Sequence, residues 1–329
     1  MKAVRIERFG KADELKLCEM PKPEPGPGEA RVRLELAGVN FIDVYMRDGS
    51  YSRSHTYKTP LPMTIGMEGC GVIDAVGPGV ADCKPGDRVA YCIVRGSYAE
   101  YATVPAWKLV PVPADVPAPI ATALMLQGST AHYLTHSAFR LEPGHSCLIH
   151  AGAGGVGQLL IQLAKRRGAR VLTTVGSPAK AEIAKKRGAD HCILYRDTDF
   201  REEVMHLTDG KGVNVVYDSV GRDTLARSLR SLARRGTCVN FGASSGQPDP
   251  VAVLDLAEAG SVFLTRPHLA DYMASSDEVR GRAADLFAAW KAGALAVTID
   301  REFPLGQAPE AHRVIESRGT TGKLLLRVA

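Results

Sequence analysis

The chain has 329 residues, 45% of them apolar and 23% charged, with a formal net charge of +5. That composition is ordinary for a globular protein able to bury a sizeable core, and the length suggests about two domains. No stretch approaches the roughly 18 uncharged apolar residues of a membrane span, the first residues lack the apolar run of a signal peptide, and the charge is too mild for a nucleic-acid stripe. A cytoplasmic protein with no membrane or nucleic-acid partner is the expectation.

Seven cysteines (Cys18, Cys70, Cys83, Cys92, Cys147, Cys192 and Cys238) are widely spaced and form no CxxC. That argues against a disulfide framework and a structural zinc lobe, and for reduced, mostly buried thiols.

The first ~110 residues read as β-rich, with strand-like apolar content at 4–6, 31–36, 71–76 and 88–91. The proline-rich segment 21–28 is a loop, and Gly77-Pro78-Gly79 and Lys84-Pro85-Gly86-Asp87 are turns. Residues 120–139 are apolar and short of breakers, which predicts a helix leading into a second domain. From there short β-rich runs begin at Cys147, Val171, Cys192, Val213, Thr237 and Val262, most of them separated by helical stretches. Strands alternating with helices imply a parallel sheet covered on both faces, and six such strands make a complete doubly wound dinucleotide domain. Lys165-Arg166-Arg167 and Lys185-Lys186-Arg187 end predicted helices, where cations suit the dipole. A further helical stretch near 283–290 precedes a mixed tail ending in the apolar run 323–328.

The strongest local signal is the strand from Cys147 running into Gly152-x-Gly154-x-x-Gly157, followed by a helix with Val156, Leu159, Leu160 and Leu163 at helical spacing. One glycine permits the tight turn, another lets the backbone approach a pyrophosphate, and the last lets helix and strand pack closely. The phosphates then sit at the helix N-terminus, beside Gly155 and Val156, where free N–H groups favour anions. The second strand ends Thr174-Val175-Gly176-Ser177-Pro178 and carries no acid to hold a ribose 2′-hydroxyl. Gly176 leaves room for a 2′-phosphate, Ser177 caps the next helix and Lys180 supplies a cation within its first turn. These residues point to NADPH rather than NADH.

The segment Gly144-His145-x-x-Leu148-x-x-x-Gly152-Ala153-Gly154-Gly155-x-Gly157-x-x-x-x-Gln162-x-x-Lys165 resembles the signature of the quinone oxidoreductase (zeta-crystallin-like) branch of the medium-chain dehydrogenase/reductase superfamily. Gly38-Val-Asn-Phe-Ile-Asp43, Tyr217-Asp-Ser-Val-Gly221, Asn240-Phe-Gly-Ala-Ser-Ser-Gly246 and Thr265-Arg-Pro267 extend the likeness over nearly the whole chain. The resemblance implies an α/β chimera. A GroES-like, β-rich catalytic domain is formed by residues 1–122 and 267–329, with a six-stranded doubly wound Rossmann domain of residues 123–266 inserted, an active site in the cleft and pairing of two copies through the last Rossmann strand as a homodimer.

In the zinc-dependent members of that superfamily a cysteine ligand stands where this chain has Asn40, and a histidine where it has Met67 in Gly66-Met67-Glu68. Asn and Met are poor substitutes for thiolate and imidazole, so no metal is expected. His132 and His136 share i,i+4 spacing without the intervening Glu of a metalloprotease site, and read as ordinary helix residues.

Without a Lewis acid a simple ketone is a poor substrate. A quinone needs less help, because hydride addition gives a delocalised oxyanion that hydrogen-bond donors can polarise. Asn40, Tyr45 and Tyr51 are the candidate catalytic residues. By resemblance Asn40 and Tyr45 also line the nicotinamide end, Gly176, Ser177, Lys180 and Tyr195 surround the 2′-phosphate, Gln127 and Thr130 lie near the nicotinamide ribose, and Ser219, Phe241 and Arg318 make further cofactor contacts. Gln127 replaces the lysine expected there. Asp43 matches the family and could simply hold its loop, and His150 reads as a satisfied core histidine. The function expected is NADPH-dependent quinone reduction by direct hydride transfer. The alternatives are reduction of the C=C bond of an enone or alkenal, and a non-catalytic NADPH- or RNA-binding protein.

Overall fold

The computed structural model describes residues 1–328. In chain order the elements are β1 (Lys2–Ile6), β2 (Lys16–Glu19), β3 (Glu29–Val39), α1 (Phe41–Arg47), β4 (Met63–Thr64), β5 (Glu68–Val76), β6 (Arg88–Cys92), β7 (Tyr101–Pro105), β8 (Val110–Pro111) and α2 (Ala118–Ala123). Then come α3 (Ser129–Tyr133), β9 (Ser146–Ile149), α4 (Gly155–Arg166), β10 (Arg170–Val175), α5 (Pro178–Lys186), β11 (His191–Leu194), α6 (Phe200–Leu207) and β12 (Val213–Asp218). The rest is α7 (Leu225–Leu229), β13 (Leu232–Asn240), α8 (Val253–Glu258), β14 (Phe263–Thr265), α9 (Ser276–Lys291), β15 (Ile299–Pro304), α10 (Ala308–Glu316) and β16 (Lys323–Arg327). The chain divides into two compact units, one of Met1–Ser129, Met273–Ala292 and residues 297–328, the other of Thr130–Tyr272 with Gly293–Ala296.

The first unit is built on β3. Its Val32 and Leu34 point inward while Arg33 and Glu35 point out, and from Leu36 to its end every residue is buried. That change marks where side chains on both faces of the strand are covered. β5 pairs antiparallel along most of its length, and β16 pairs antiparallel at its end with Leu324 opposite Val39. The tail of the chain therefore completes the N-terminal sheet, ordered β15-β16-β3-β5-β6-β8 with β7 also on β3, and β2-β1-β4 form a smaller sheet among the described residues. Ala30, Val32, Leu34, Ile73, Val89, Tyr91 and Val104 fill the core. Each large apolar side chain buried there stabilises the unit by about 1.5–3 kcal/mol.

The second unit is a parallel sheet in the order β11-β10-β9-β12-β13-β14, six strands among the described residues, joined by helices. The order reverses between β9 and β12, and this switch point is where open α/β sheets bind ligands. The fifth strand begins at Leu232, five residues before the expected Thr237. Arg234-Arg235-Gly236 interrupt the apolar run, and the ladder shifts register around them, with Arg235 at positive φ.

The expected helix over 120–139 is α2 and α3 with a five-residue π turn after each, at 124–128 and 134–138. The unit boundaries fall after Ser129 and Tyr272, not after 122 and 266. The Tyr133 and Tyr272 rings stack at 4.5 Å within the second unit, and the Gln162 amide bonds both the N–H and the carbonyl of Ala296, which draws those segments into it. The seven cysteines are free, four of them buried. No helix of the described residues is long and apolar enough to cross a membrane.

Candidate active site

In the second unit, β9 ends beside β10 and the chain turns at once into α4. A Cβ on Gly152 would lie 2.0 Å from Thr173 Oγ1, and one on Gly157 would lie 2.3 Å from the Ala151 carbonyl oxygen. These two glycines let strand, turn and helix approach one another. Gly154 differs: a Cβ there would meet the Ala151 oxygen at 3.2 Å, so the turn's own packing scarcely requires it. A bare backbone at that position suits the close approach of a ligand. Val156, in the first turn of α4, is half-exposed rather than packed into the core. The first N–H groups of the helix have no intrahelical acceptor, so the turn is a cradle that a pyrophosphate fits.

At the end of β10, Ser177 accepts from the Lys180 N–H and Pro178 opens α5, which places Lys180 in the first turn. The hydroxyl of Tyr195, a half-exposed residue just past β11, lies 2.9 Å from where a Cβ on Gly176 would sit. Gly176, Ser177, Lys180 and Tyr195 are therefore brought together at the carboxyl ends of two adjacent strands. Ser219 and Phe241 follow β12 and β13. Phe241 N–H donates to the Asp218 carbonyl at 2.8 Å, and Asn240 Nδ2 bonds the Asp218 and Gly242 carbonyls, tying the two loops side by side. Thr130 is buried on α3. His150 is a satisfied core residue, its ring nitrogens on Thr174 Oγ1 at 2.9 Å and Ser228 Oγ at 3.0 Å, and burial lowers its pKa. His132 and His136 stack face to face with centroids 4.1 Å apart.

The first unit carries the Asn40 centre. Asn40 follows β3 and precedes α1, and is 3% exposed. Register brings two charged side chains to it: Lys323 starts β16 beside the end of β3, and Glu68 starts β5 on the other side. Both are fully buried and form an ion pair. Lys323 Nζ donates to Asn40 Oδ1 at 2.7 Å, and Asn40 Nδ2 donates to Glu68 Oε2 at 2.9 Å. Glu68 Oε1 accepts the Leu126 N–H at 2.6 Å, which anchors the π turn holding the buried Gln127. The orientation of the Asn40 amide is fixed by charge, since a flip would set N–H against ammonium and oxygen against carboxylate. Gly38 is required by the same pair: a Cβ there would lie 1.8 Å from Glu68 Oε2 and 2.8 Å from Lys323 Nζ.

The Asn40 backbone is held by a second network. Its N–H donates to Asp43 Oδ2 at 2.9 Å, and the same oxygen accepts the Tyr98 hydroxyl at 3.2 Å. Tyr98 in turn meets His312 Nε2 at 3.1 Å, His312 Nδ1 meets Arg47 at 3.1 Å, and Arg47 forks onto Glu316 at 2.8 and 2.9 Å. Burial pushes the Asp43 carboxyl up to about 7, against the opposing pull of the Asn40 N–H and Lys323. Burial, with the Arg47 charge, lowers His312 to about 3, so it is neutral.

Tyr45 and Tyr51 are brought together in a run of rings. Phe41 to Tyr45 spans 6.0 Å, Tyr45 to Tyr51 5.4 Å, and Tyr51 stacks on Tyr57 at 5.4 Å. Arg318 lies in the exposed turn after α10 at positive φ. Of the candidate catalytic and cofactor-binding residues picked from the sequence, Asn40, Tyr45, Tyr51, Gln127 and Arg318 belong to the first unit and the others to the second. Sequence reasoning missed Lys323, Tyr98, His312, Arg47 and Glu316, and gave Glu68 no role. One signal existed for His312: the buried positions of α10 are Ala308, Ala311, His312 and Ile315, so the histidine stands on the apolar face.

A β-rich unit completed by the chain's own tail, with a doubly wound sheet carrying GxGxxG, defines a two-domain pyridine-nucleotide dehydrogenase/reductase. Residues 26–114 match the family described as alcohol dehydrogenase GroES-like domain, and residues 155–289 the family described as zinc-binding dehydrogenase. The chain is 42% identical to a 2-haloacrylate reductase of Burkholderia sp over 98% of each chain. It is 39% identical to quinone oxidoreductase 1 of Escherichia coli K12 over 98% of this chain and 99% of that one. The crystal structure of Escherichia coli quinone oxidoreductase complexed with NADPH superposes with a TM-score of 0.96 at 37% identity over the whole of both chains. The chain belongs to the quinone oxidoreductase (zeta-crystallin-like) branch of the medium-chain dehydrogenase/reductase superfamily.

Proposed function

We propose that this protein is an NADPH-dependent quinone reductase that transfers hydride directly, without a metal. NADPH is the hydride source when bound. The glycine cradle would hold its pyrophosphate, and Gly176, Ser177, Lys180 and Tyr195 its 2′-phosphate, with no carboxylate there to repel it. Thr130, Ser219, Phe241, Gln127 and Arg318 are assigned to the rest of the cofactor.

The observation that carries the metal-free reading is the Lys323–Asn40–Glu68 cluster. It stands where zinc-dependent relatives place a thiolate and an imidazole. Asn40 and Met67 offer neither, and the Glu68 carboxylate is already bound to an ammonium, so this donor set does not fit zinc. It fits a hydrogen-bonding role. Lys323 and Glu68 engage the Asn40 carbonyl and one of its two N–H bonds, and the second N–H is assigned to the acceptor oxygen. The ammonium on Oδ1 polarises the amide and strengthens that donor. A preorganised donor of this kind contributes roughly 10²–10³ in rate, enough for a quinone whose reduced oxyanion is delocalised. Tyr45 and Tyr51 flank the acceptor with aromatic surface.

Reduction of an activated C=C bond is the second reading, favoured by the similarity to a 2-haloacrylate reductase. Purified protein dialysed against chelator should oxidise NADPH with 1,2-naphthoquinone faster than with 2-cyclohexenone or a 2-haloacrylate. The reverse order would favour the second reading, and turnover restored only by zinc would overturn the first. NADPH binding without turnover on any acceptor would favour a binding role.

A cytoplasmic homodimer formed through β14 belongs to the same proposal. β14 is an edge strand, Phe263 on it is 62% exposed, and Val253 and Leu254 nearby are more so. Light scattering should give twice the chain mass, and Phe263→Asp should give the monomer.

A further inference from the structure

The hydrogen-bond chain below Asn40 has a forced direction. Arg47 can only donate, so His312 Nδ1 must accept, and the neutral ring then carries its proton on Nε2. That N–H donates to the Tyr98 oxygen, which leaves the Tyr98 proton for Asp43 Oδ2. Three elements distant in sequence thus deliver donors in series, from the Arg47–Glu316 pair at the half-exposed end to one carboxylate oxygen at the other. The same oxygen holds the Asn40 N–H. We propose that Tyr98 and His312 are positioning residues for the reaction: by locking the ionised Asp43 carboxylate onto the Asn40 backbone, they fix the angle at which the Asn40 amide meets the acceptor.

This rests on the reading of Asn40 as the acceptor's donor. The groups that act on Asp43 are the Asn40 N–H, Lys323 from β16, Glu68 from β5 and Tyr98 from the loop between β6 and β7, while His312 from α10 and Arg47 lie behind Tyr98 in the chain. Lys323 and the Tyr98 hydroxyl favour the ionised carboxyl, while burial and Glu68 oppose it. Burial outweighs these donors, and the loss of one of them moves the balance further toward the protonated form. Asp43 Oδ1 has no hydrogen-bond partner, which leaves Oδ2 as the oxygen through which the carboxylate is held.

The test compares wild type with Tyr98→Phe and His312→Gln. The pH profile of kcat for naphthoquinone reduction is measured from pH 5.5 to 9, together with NADPH affinity by fluorescence. In parallel the Asp43 carboxyl is titrated by carbon-13 NMR, with Asp43→Asn to assign its signal. Wild type should lose rate on the acid side as Asp43 protonates. Tyr98→Phe should move that limb and the carboxyl midpoint upward together by about one pH unit, with NADPH affinity kept. Gln can still donate to Tyr98, so His312→Gln should shift both less. A Tyr98→Phe rate reduced by one factor at every pH, or a limb and midpoint that stay put, would overturn the inference. If wild type reduces no conjugated acceptor, the function reading fails, and the carboxyl titration still decides whether the chain governs Asp43.

Discussion

Under the proposed function, recognition around residues 152–157 is the work of backbone N–H groups and of side chains that are missing. Around Asn40 it is the work of buried side chains, with a lysine, a glutamate and an aspartate at zero exposure within one network. The first region holds its shape through local turn geometry and carries no titratable group in its turn. The second holds its shape only while opposite charges stay matched. Bulk should therefore disable the glycine turn at any pH, whereas the Asn40 centre should tolerate volume-conserving changes and fail on any that unbalance charge.

The largest effect expected is at Lys323. Lys323→Met leaves Glu68 buried without its partner and should cost about 3–5 kcal/mol in urea unfolding, a large part of a typical domain's stability. Adding Glu68→Gln should restore more than half of it, because no unpaired charge remains. If the double variant is no more stable than the single, charge matching is not what holds this region together. The counterpart in the turn is Gly157→Val, whose Cβ would press the Ala151 carbonyl oxygen. It should weaken NADPH at least ~100-fold, or about 2.7 kcal/mol, by fluorescence titration. Gly154→Ala should keep the melting temperature and lose about tenfold in NADPH affinity, since there the constraint comes from the ligand and not from packing.

The contrast in pH response has a defined sign. The Asp43 carboxyl titrates at about 7 in the folded protein and near 3.9 unfolded, so between those values only the folded state holds the proton and stability rises as pH falls. His312 is lowered to about 3, so from pH 6.5 downward the unfolded state takes the proton first and stability falls as pH falls. In wild type the two nearly cancel between pH 4 and 6.5. Asp43→Asn should expose the histidine and lose about 2 kcal/mol between pH 6.5 and 4.5, while His312→Gln should gain over the same window. Equal slopes in the two variants would contradict the assignment. The smallest effect belongs to the rim: Lys180→Gln should narrow the preference for NADPH over NADH by about five- to tenfold, as suits a half-exposed cation on a phosphate.

Much of the second unit was legible because its signals are local. Strand, glycine turn and helix lie within ~30 residues, and the absence of an acid after Val175 sits in the same stretch. The Asn40 centre was half legible. Asn40 and Met67 announced what was missing, but not what replaces it. Lys323 opens an apolar run and reads as an ordinary strand-end cation, and its contact with Asn40 joins residues 283 apart in sequence. Fully buried lysine and glutamate also run against the usual distribution, so nothing in a single sequence favours pairing them. The strand after Ser231 was misplaced for a related reason, because Arg234 and Arg235 lie on a bulge that only the neighbouring strand reveals.

The proposed reaction requires Asn40 to act as the donor to the acceptor oxygen. Stopped-flow measurement of NADPH oxidation by 1,2-naphthoquinone, with chelator-dialysed wild type and Asn40→Ala at saturating NADPH, addresses it most directly. The expected result is a fall of roughly 10²–10³ in the hydride-transfer rate with NADPH affinity unchanged. A rate within a few-fold of wild type, or a wild-type rate that requires added zinc, would contradict it.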